Sequence, residues 1–361
     1  MISKTHAMTR RGWIAGAGSA AVAASVEPLR LPGTVRIAIL GFDGHAGEIT
    51  SRLQQLPDLD VVAVFDPDPK VTARAVKNPR MAKARQYTDY RRMLDAEKLD
   101  LVAVCNPNGE RAEAILACVA RKLNVIAEKP LAVEWRDLDR VKKAVSASGI
   151  KLGMLLPMRY DPSYLALKKI VDSGEIGEVA QIAAQKSYQA GERPAWMRSR
   201  KTYGGTIPWI GIHMIDLMRF TSGREMRAVA SFQTRIAFPE IGDMENVTGS
   251  LFKLDNSGIG TLRMDYLRPR TAPTHGDDRL RLAGTKGVAE YQAGTGVTLM
   301  SGTRKPETIR DLPPQGSVFF QYLQYAYNGS APTLTLADIY RTNEIVLGAR
   351  DAAEKGEIVR L

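Results

Sequence analysis

Cysteine is scarce in this chain of 361 residues, which contains only Cys105 and Cys118. Cys105 closes a short apolar run and Cys118 follows in a helical pattern, so we interpret both as small buried side chains rather than as a disulfide framework. The sequence also lacks the C-x-x-C and H-E-x-x-H spacings that are typical of zinc sites. We therefore predict no bound metal.

Aromatic residues make up only 7% of the chain, although its net charge is +11. A basic protein invites a nucleic-acid hypothesis. However, the dense basic clusters are short, as in Arg198–Lys201 and Arg279–Arg281, and no basic helix interleaved with aromatic residues accompanies them. We therefore predict no nucleic-acid partner and interpret the clusters as solvated faces or as a pocket for an anionic or polyhydroxyl substrate.

The N-terminal apolar run, Ala15–Ala24, is too short to span a bilayer comfortably. It follows the twin arginines Arg10 and Arg11 and contains the A-x-A pattern Ala21–Ala23. We expect residues 1–24 to be a twin-arginine signal peptide, with the protein periplasmic or secreted and without stable membrane insertion. This export route moves folded proteins, which suits a passenger that acquires its cofactor in the cytoplasm.

A dinucleotide-binding pattern begins at the predicted strand Val35–Leu40, which runs into a glycine-rich turn and a helix. A second strand ends at Asp66, 25 residues after Gly41. Glycines let the backbone approach a pyrophosphate, and an acid after the second strand accepts ribose hydroxyls. The acids of Asp66–Asp68 favour NAD over NADP, because a 2′-phosphate would need a cation. This order predicts a Rossmann domain.

The turn departs from the G-x-G-x-x-G/A fingerprint. Gly41 and Ala46 fit the first and third places, but Asp43 occupies the second, and Gly44 could let the loop take another path. His45 could contact the phosphates, with helix capping or packing as an equal alternative. Asn108, after the strand that ends at Cys105, could bond the nicotinamide ribose or serve the turn alone.

Lys129 follows the buried strand Val125–Ala127 in the tripeptide Glu128-Lys129-Pro130. Ligands of open parallel sheets lie beyond the carboxyl ends of the strands, so Lys129 is expected to face a crevice. Partial burial would lower its pKa and let it exchange a proton with a substrate hydroxyl. The alternative is a solvated surface charge.

The second half of the chain changes character to long alternating segments such as Val179–Tyr188 and Val247–Leu254. Such segments predict an antiparallel sheet. The predicted fold class is α/β, with an N-terminal Rossmann doubly wound parallel sheet and a C-terminal α+β domain that carries a large, mostly antiparallel open sheet. The predicted domains are residues 34–155, 156–332 and a tail, 333–361, which packs on the Rossmann domain.

The pattern resembles the Gfo/Idh/MocA family of NAD(P)-dependent oxidoreductases, on the evidence of Ile37–Ala46, Asp66–Asp68, Tyr87–Tyr90, Asn106–Asn108 and above all Glu128–Pro130. The resemblance covers residues 35–361. It implies that Lys129 lies between substrate and nicotinamide, that the Lys-Pro bond is cis, and that the protein is a homo-oligomer, either dimer or tetramer. The cofactor-binding candidates are Gly41, Asp43, Gly44, His45, Ala46, Asp66, Asn106, Asn108, Glu128 and Lys129.

His213 follows the glycine-rich entry Gly204–Gly211 and begins a helix. A histidine on an apolar helix is usually packed, but the resemblance implies an acid/base role for it. The family's aspartate four residues earlier is Trp209 here, and we expect Asp216 to orient the imidazole. The tryptophans could stack on a sugar or pack in the core. The substrate-binding candidates are Arg159, Tyr160, Trp196, Trp209, His213 and Asp216.

The resulting hypothesis is an exported oxidoreductase that moves a hydride between a ring carbon of a sugar or cyclic polyol and tightly bound NAD. Lys129 and His213 would be its catalytic residues. One alternative, raised by Asp43 and Trp209, is a catalytically altered or non-catalytic sugar-binding protein on the same scaffold. The other is an NAD-dependent glycosidase.

Overall fold

The first of two sheets is parallel and contains six strands. A computed structural model describes residues 28–361, and the predicted signal peptide, residues 1–24, lies outside them. The strand order is β3-β2-β1-β4-β5-β6. The strands are β1 (Val35–Leu40), β2 (Leu59–Phe65), β3 (Arg85–Tyr87), β4 (Leu101–Val104), β5 (Asn124–Ala127) and β6 (Leu152–Met154). The helices between them are α1 (Gly47–Thr50), α2 (Pro69–Ala75), α3 (Tyr90–Ala96), α4 (Asn108–Ala120) and α5 (Trp135–Ser148).

Strand β1 shows why both faces of this sheet are covered. Ile37 and Ile39 point to one side, and Ala38 and Leu40 to the other, and all four are fully buried. Successive strand residues alternate in direction, so a strand that is apolar at every position needs helices on both sides. The strand order reverses between β1 and β4, which opens the crevice where doubly wound folds bind ligands.

The second sheet contains nine strands in the order β14-β13-β12-β11-β7-β10-β9-β8-β15. Its neighbouring strands are antiparallel except for the parallel pair β7 and β10. The strands are β7 (Val179–Tyr188), β8 (Met226–Thr234), β9 (Val247–Leu254), β10 (Ile259–Asp265), β11 (Gly276–Gly284), β12 (Gly287–Gln292), β13 (Gly296–Ser301), β14 (Arg304–Ile309) and β15 (Val359–Arg360). The predicted fold class is confirmed.

The inner face of this second sheet packs on helices, whereas much of its outer face is exposed. In β10, Gly260, Leu262 and Met264 are buried while the alternate residues are exposed. This period of two is typical of an antiparallel sheet with one covered face. The remaining helices are α6 (Pro162–Asp172), α7 (Arg200–Tyr203), α8 (Ile212–Ser222), α9 (Val318–Tyr327) and α10 (Leu336–Lys355).

Two late segments of the chain pack across the predicted domain boundaries. Helix α9, assigned to the substrate domain, buries Phe319 and Leu323 in the same apolar cluster as Ile37 and Ile39 of β1. Residues 333–361 do not pack on the Rossmann domain alone, because α10 also packs on β8 and α8, and β15 extends the second sheet. Chain order is a poor guide here, since the apolar face of a late helix can cover an early strand.

Within residues 28–361, no helix combines the length and the apolar character that crossing a membrane requires.

Candidate active site

The turn after β1 forms a cradle in which two glycines are indispensable. Gly41 and Gly44 have φ angles of +82° and +61°, which favour glycine. A Cβ on Gly41 would lie 2.6 Å from the carbonyl oxygen of Cys105, and a Cβ on Gly44 would lie 1.9 Å from Oε1 of Glu128. The turn is therefore closed tightly against the ends of β4 and β5.

Glu128, at the end of β5, holds this turn in place. Its Oε1 accepts hydrogen bonds from the backbone N–H of His45 at 2.7 Å and contacts Nδ1 of the same residue at 2.5 Å. Its Oε2 accepts from the backbone N–H of Lys129 at 2.6 Å. Burial would raise the pKa of Glu128, but the interactions with His45, Lys129 and Arg111 outweigh it and lower the pKa to about 2. Glu128 is thus a buried carboxylate.

Asp43 is tied to the second half of the chain. Its Oδ1 accepts a hydrogen bond from the indole Nε1–H of Trp196 at 2.9 Å. Burial raises the pKa of Asp43, and the bond from Trp196 opposes this shift. The residue that breaks the glycine fingerprint therefore joins the turn to the loop between β7 and α8.

Two predicted cofactor ligands keep polar atoms that a ligand could use. Oδ1 of Asn106 is buried and has no hydrogen-bond partner among the described residues. Asp66 is partly exposed. Its Oδ1 accepts a hydrogen bond from the backbone N–H of Asp68 at 3.0 Å, and its Oδ2 has no hydrogen-bond partner within residues 28–361. Ala46 is buried at the start of α1. The glycine cradle, the acid after β2 and the orphaned amide oxygen fit a dinucleotide.

Asn108 is placed differently from the prediction, because its side chain is committed to the protein. Its Nδ2–H donates to the carbonyl oxygen of Tyr203 at 2.8 Å, and its Oδ1 accepts from Nη1 of Arg111 at 3.0 Å. Arg111 is fully buried and also donates to the carbonyl oxygens of Asn106 and Pro130. Sequence reasoning missed Arg111, because in the helical pattern of α4 it resembles a solvated charge.

Lys129 lies deep in the crevice, with 1% of its surface exposed. Its Nζ donates to the carbonyl oxygen of Trp209 at 2.6 Å and lies 3.3 Å from the centroid of the Trp209 ring. The Lys129-Pro130 peptide is cis. Burial lowers the pKa of Lys129 to about 7, and the charge of Glu128 opposes this shift only in part. The amine can therefore exchange a proton near neutral pH.

His213 reaches the same region from the second half of the chain. It belongs to α8, which is preceded by a wide π-helical turn, Ile207–Gly211. Such turns occur frequently at functional sites. The His213 ring is 5% exposed, its Nδ1 has no hydrogen-bond partner within residues 28–361, and its centroid lies 4.9 Å from that of His45. Burial, followed by the charges of Lys129, His45 and Lys186, lowers its pKa well below the ordinary value.

Arg159 and Asp216, predicted to bind substrate, bind each other instead. Nε and Nη2 of Arg159 donate to the two carboxylate oxygens of Asp216, both at 2.8 Å, and the two side chains are 3% and 1% exposed. The expectation that Asp216 orients His213 is not what the structure shows. The bidentate geometry of arginine and carboxylate explains the difference, since each group satisfies the other.

The aromatic candidates differ in how much of their surface is exposed. Trp196 and Trp209 meet edge to face, with ring centroids 5.4 Å apart, and only 9% of Trp209 is exposed. Tyr160 is buried, and burial raises its pKa to about 12. Its backbone carbonyl accepts from Gly316 at 2.9 Å. Tyr160 and Trp209 therefore present little surface to a ligand, while Trp196 is half-buried.

Sequence reasoning also missed Lys186, whose side chain pairs with that of Asp278 on the inner face of the second sheet. The signal was available, because Lys186 continues the inward-facing positions of β7 that begin with Ile182 and Ala184. Elsewhere in the described chain, no group of three or more His, Cys, Asp or Glu side chains is arranged to hold a metal ion.

Comparisons with known proteins agree with this architecture. Residues 35–155 match the family model described as "Oxidoreductase family, NAD-binding Rossmann fold", and residues 164–290 match "GFO/IDH/MocA C-terminal domain". An uncharacterized oxidoreductase, YrbE of Bacillus subtilis, is 24% identical over 331 residues, covering 88% of this chain and 90% of its own. The scyllo-inositol 2-dehydrogenase (NAD(+)) of B. subtilis is 24% identical over 351 residues, covering 91% and 96%.

Solved structures share the fold. A putative oxidoreductase from Thermotoga maritima superposes with a TM-score of 0.85 at 29% identity, covering 91% of this chain and 100% of its own. Levoglucosan dehydrogenase in complex with NADH and levoglucosan gives a TM-score of 0.78 at 18% identity, covering 91% and 99%. The second similarity is one of fold alone.

Proposed function

Because the chain belongs to the Gfo/Idh/MocA family of oxidoreductases and carries its NAD-binding Rossmann fold, we propose that it oxidises or reduces a ring carbon of a sugar or cyclic polyol. Relatives named as inositol dehydrogenases support this substrate class. One observation carries the proposal: the amine of Lys129, whose burial lowers its pKa to about 7, lies near enough to the imidazole of His213, from the other half of the chain, for its charge to lower the pKa of His213.

NAD supplies the hydride acceptor or donor when it is bound. The cradle of Gly41 and Gly44 would hold the pyrophosphate, Asp66 the adenosine ribose, and Asn106 the nicotinamide end. The carboxylate of Glu128 maintains this cradle through His45 and positions the backbone of Lys129 at the same time. One buried acid therefore couples the cofactor turn to the proton-handling lysine.

In this proposal Lys129 is the base that takes the hydroxyl proton during oxidation. A base works best when its pKa lies near the operating pH, and the buried Lys129 amine meets that condition. The depressed pKa keeps His213 neutral, so it can hydrogen-bond the same hydroxyl without adding charge. The carbonyl oxygen and the ring of Trp209 hold the amine in place. Trp209 stands at the sequence position where the family motif has an aspartate.

Export is a second part of the proposal and rests on the sequence around Arg10 and Arg11. An exported enzyme of this type would keep its NAD bound and recycle it with a second substrate, since free NAD is not expected outside the cytoplasm. Replacing both arginines by lysine is expected to retain the protein in the cytoplasm, as judged by immunoblots of periplasmic and cytoplasmic fractions. Unchanged fractionation of the double variant would refute twin-arginine export.

A homo-oligomer is the third part and is supported by the outer face of the second sheet. Phe232, Leu251 and Ile259 are 77%, 50% and 48% exposed on neighbouring strands. Exposed apolar patches of this kind mark interaction surfaces. Light scattering should give a mass above that of one chain, and Phe232→Ser should lower it. A monomeric wild type would refute this assignment.

The test of the main proposal uses the mature protein. Denaturation should release NAD, and mixing the native protein with a panel of sugars and cyclic polyols should raise the absorbance at 340 nm by about one equivalent of bound cofactor. Denatured Lys129→Met should still release NAD. In the native variant the bound NAD should be reduced by the polyol about 10²- to 10⁴-fold more slowly than in the wild type. Absence of both nucleotide and reduction would favour the non-catalytic sugar-binding protein that Asp43 and Trp209 suggest.

A further inference from the structure

Lys186 and Asp278 form an ion pair on the inner face of the second sheet. They are register partners on β7 and β11, and Nζ of Lys186 donates to Oδ2 of Asp278 at 2.7 Å. The Lys186 side chain is 0% exposed and that of Asp278 is 16% exposed. Burial opposes the charge of Lys186, but Tyr188 and Asp278 raise its pKa above the ordinary value. The ammonium therefore stays charged.

The pair retains unused hydrogen-bonding capacity. An ammonium has three N–H donors. One is given to Asp278 and a weak one to Sδ of Met158 at 3.4 Å, and Nζ also interacts with the side chain of Tyr188, whose ring centroid lies 5.1 Å away. Oδ1 of Asp278 is buried without a partner in the described part of the chain, and so is the hydroxyl of Tyr164. Buried polar atoms normally have partners, so these groups are available to hydrogen-bond a ligand.

The position of the pair relates it to the proposed chemistry. Met158 lies in the turn that follows β6, and β6 is the neighbour of β5, whose end carries Lys129. The positive charge of Lys186 also contributes to the lowered pKa of both Lys129 and His213. The pair is therefore close enough to the two proton-handling side chains for its positive charge to act on both.

We propose that Lys186 and Asp278 clamp a vicinal diol of the substrate. An N–H of Lys186 donates to one hydroxyl oxygen, and Oδ1 of Asp278 accepts from the hydroxyl on the neighbouring carbon. A hydroxyl both donates and accepts, so two adjacent hydroxyls match one fixed donor beside one fixed acceptor. The pair carries no net charge, which selects a neutral polyol over an acidic sugar, whose carboxylate Asp278 would repel. This inference rests on the proposed function and narrows its substrate class.

The clamp is tested with a cyclic polyol that reduces the bound NAD and with its monodeoxy analogues. Lys129→Met holoprotein turns over about 10²- to 10⁴-fold more slowly than the wild type, so calorimetry on it measures affinity with little interference from the reaction. Removal of a clamped hydroxyl is expected to weaken binding about 10- to 100-fold, the range for a hydrogen bond to a charged group. In Asp278→Asn, the affinity difference between the parent polyol and the analogue that lacks the hydroxyl bound by Asp278 should become smaller, because an amide oxygen is a weaker acceptor than a carboxylate.

Asp277→Asn is the matched control, since Asp277 is the next residue of β11 and pairs with Arg279 at 3.0 Å on the opposite face. The Asp277→Asn variant should keep the full difference in affinity between the parent polyol and its deoxy analogue. If Asp278→Asn does not fold, Lys186→Gln combined with Asp278→Asn removes both charges and leaves neither unpaired. A purely structural ion pair would weaken parent and analogue by the same factor, which would overturn the clamp. So would wild-type protein that binds every deoxy analogue as tightly as the parent.

The result also separates the clamp from the function on which it rests. Discrimination between parent and analogue without any reduction of NAD would retain the clamp and refute the oxidoreductase proposal. Reduction of NAD without a difference in affinity between parent and analogue would retain the oxidoreductase proposal and refute the clamp.

Discussion

Restoring an acid in place of Trp209 should move the pH dependence of the reaction to higher pH. Nζ of Lys129 lies 3.3 Å from the centroid of the Trp209 ring, and burial of the amine is the largest cause of its pKa of about 7. Trp209→Asp would replace the ring by a carboxylate and by space for water. Both changes favour the ammonium, and an opposite charge at about 4–6 Å raises an amine pKa by about 1–3 units.

The sign of the effect follows from the role of the neutral amine as base in oxidation. Wild-type rates should rise with pH and level off above pH 7, while those of Trp209→Asp should level off only above about pH 8–10. At pH 6.5 the variant should therefore be about 10- to 1,000-fold slower, with little difference at the plateau. The assay is stopped-flow reduction of bound NAD at 340 nm, between pH 5.5 and 10.5, with saturating polyol.

Trp209→Phe is the control, because it keeps an aromatic ring and adds no charge. The midpoint of its pH–rate profile should stay within about half a pH unit of the wild-type midpoint. An unchanged midpoint in Trp209→Asp, or the same shift in both variants, would refute the assignment of the pH dependence to Lys129.

Three further substitutions test the contacts that hold the site. Glu128→Gln removes the charge that raises the pKa of the neighbouring lysine, so the rate midpoint should fall below that of the wild type; a rise would contradict this account. Gly44→Ala should release the cofactor, measured as nucleotide content, because its Cβ would collide with Glu128, whereas Gly47→Ala, where nothing lies within 4 Å, should retain it. Arg159→Gln should lower the free energy of unfolding by about 3–5 kcal/mol in urea titrations by leaving Asp216 buried and unpaired, and the KM of the folded protein should not change; a raised KM at unchanged stability would restore the substrate-binding hypothesis.

Local patterns in the sequence predicted β1, Val35–Leu40, and β7, Val179–Tyr188, with the bounds that the structure has. They did so because buried parallel strands read as continuous apolar runs, and half-buried strands as alternating ones. The glycine turn after β1 was also predictable, since its positive φ angles require glycine. The position of Lys129 followed from a general property of parallel sheets, whose ligands lie beyond the carboxyl ends of the strands.

Pairings between distant residues were not predictable in this way. The bond between Asp43 and Trp196 joins residues 153 positions apart, and the pair Lys186 and Asp278 joins residues 92 apart. Periodicity describes which face a side chain occupies but not which partner it meets there. For the same reason Asp216 was expected beside His213, whereas the bidentate fit of Arg159 holds it elsewhere.

The central claim is that Lys129 and His213 act on one substrate hydroxyl. A crystal structure of the mature protein with NADH and a bound cyclic polyol tests it most directly. The account predicts that Nζ of Lys129 and a ring nitrogen of His213 both lie within about 2.6–3.2 Å of the same polyol oxygen. A polyol oxygen that contacts neither nitrogen would contradict it.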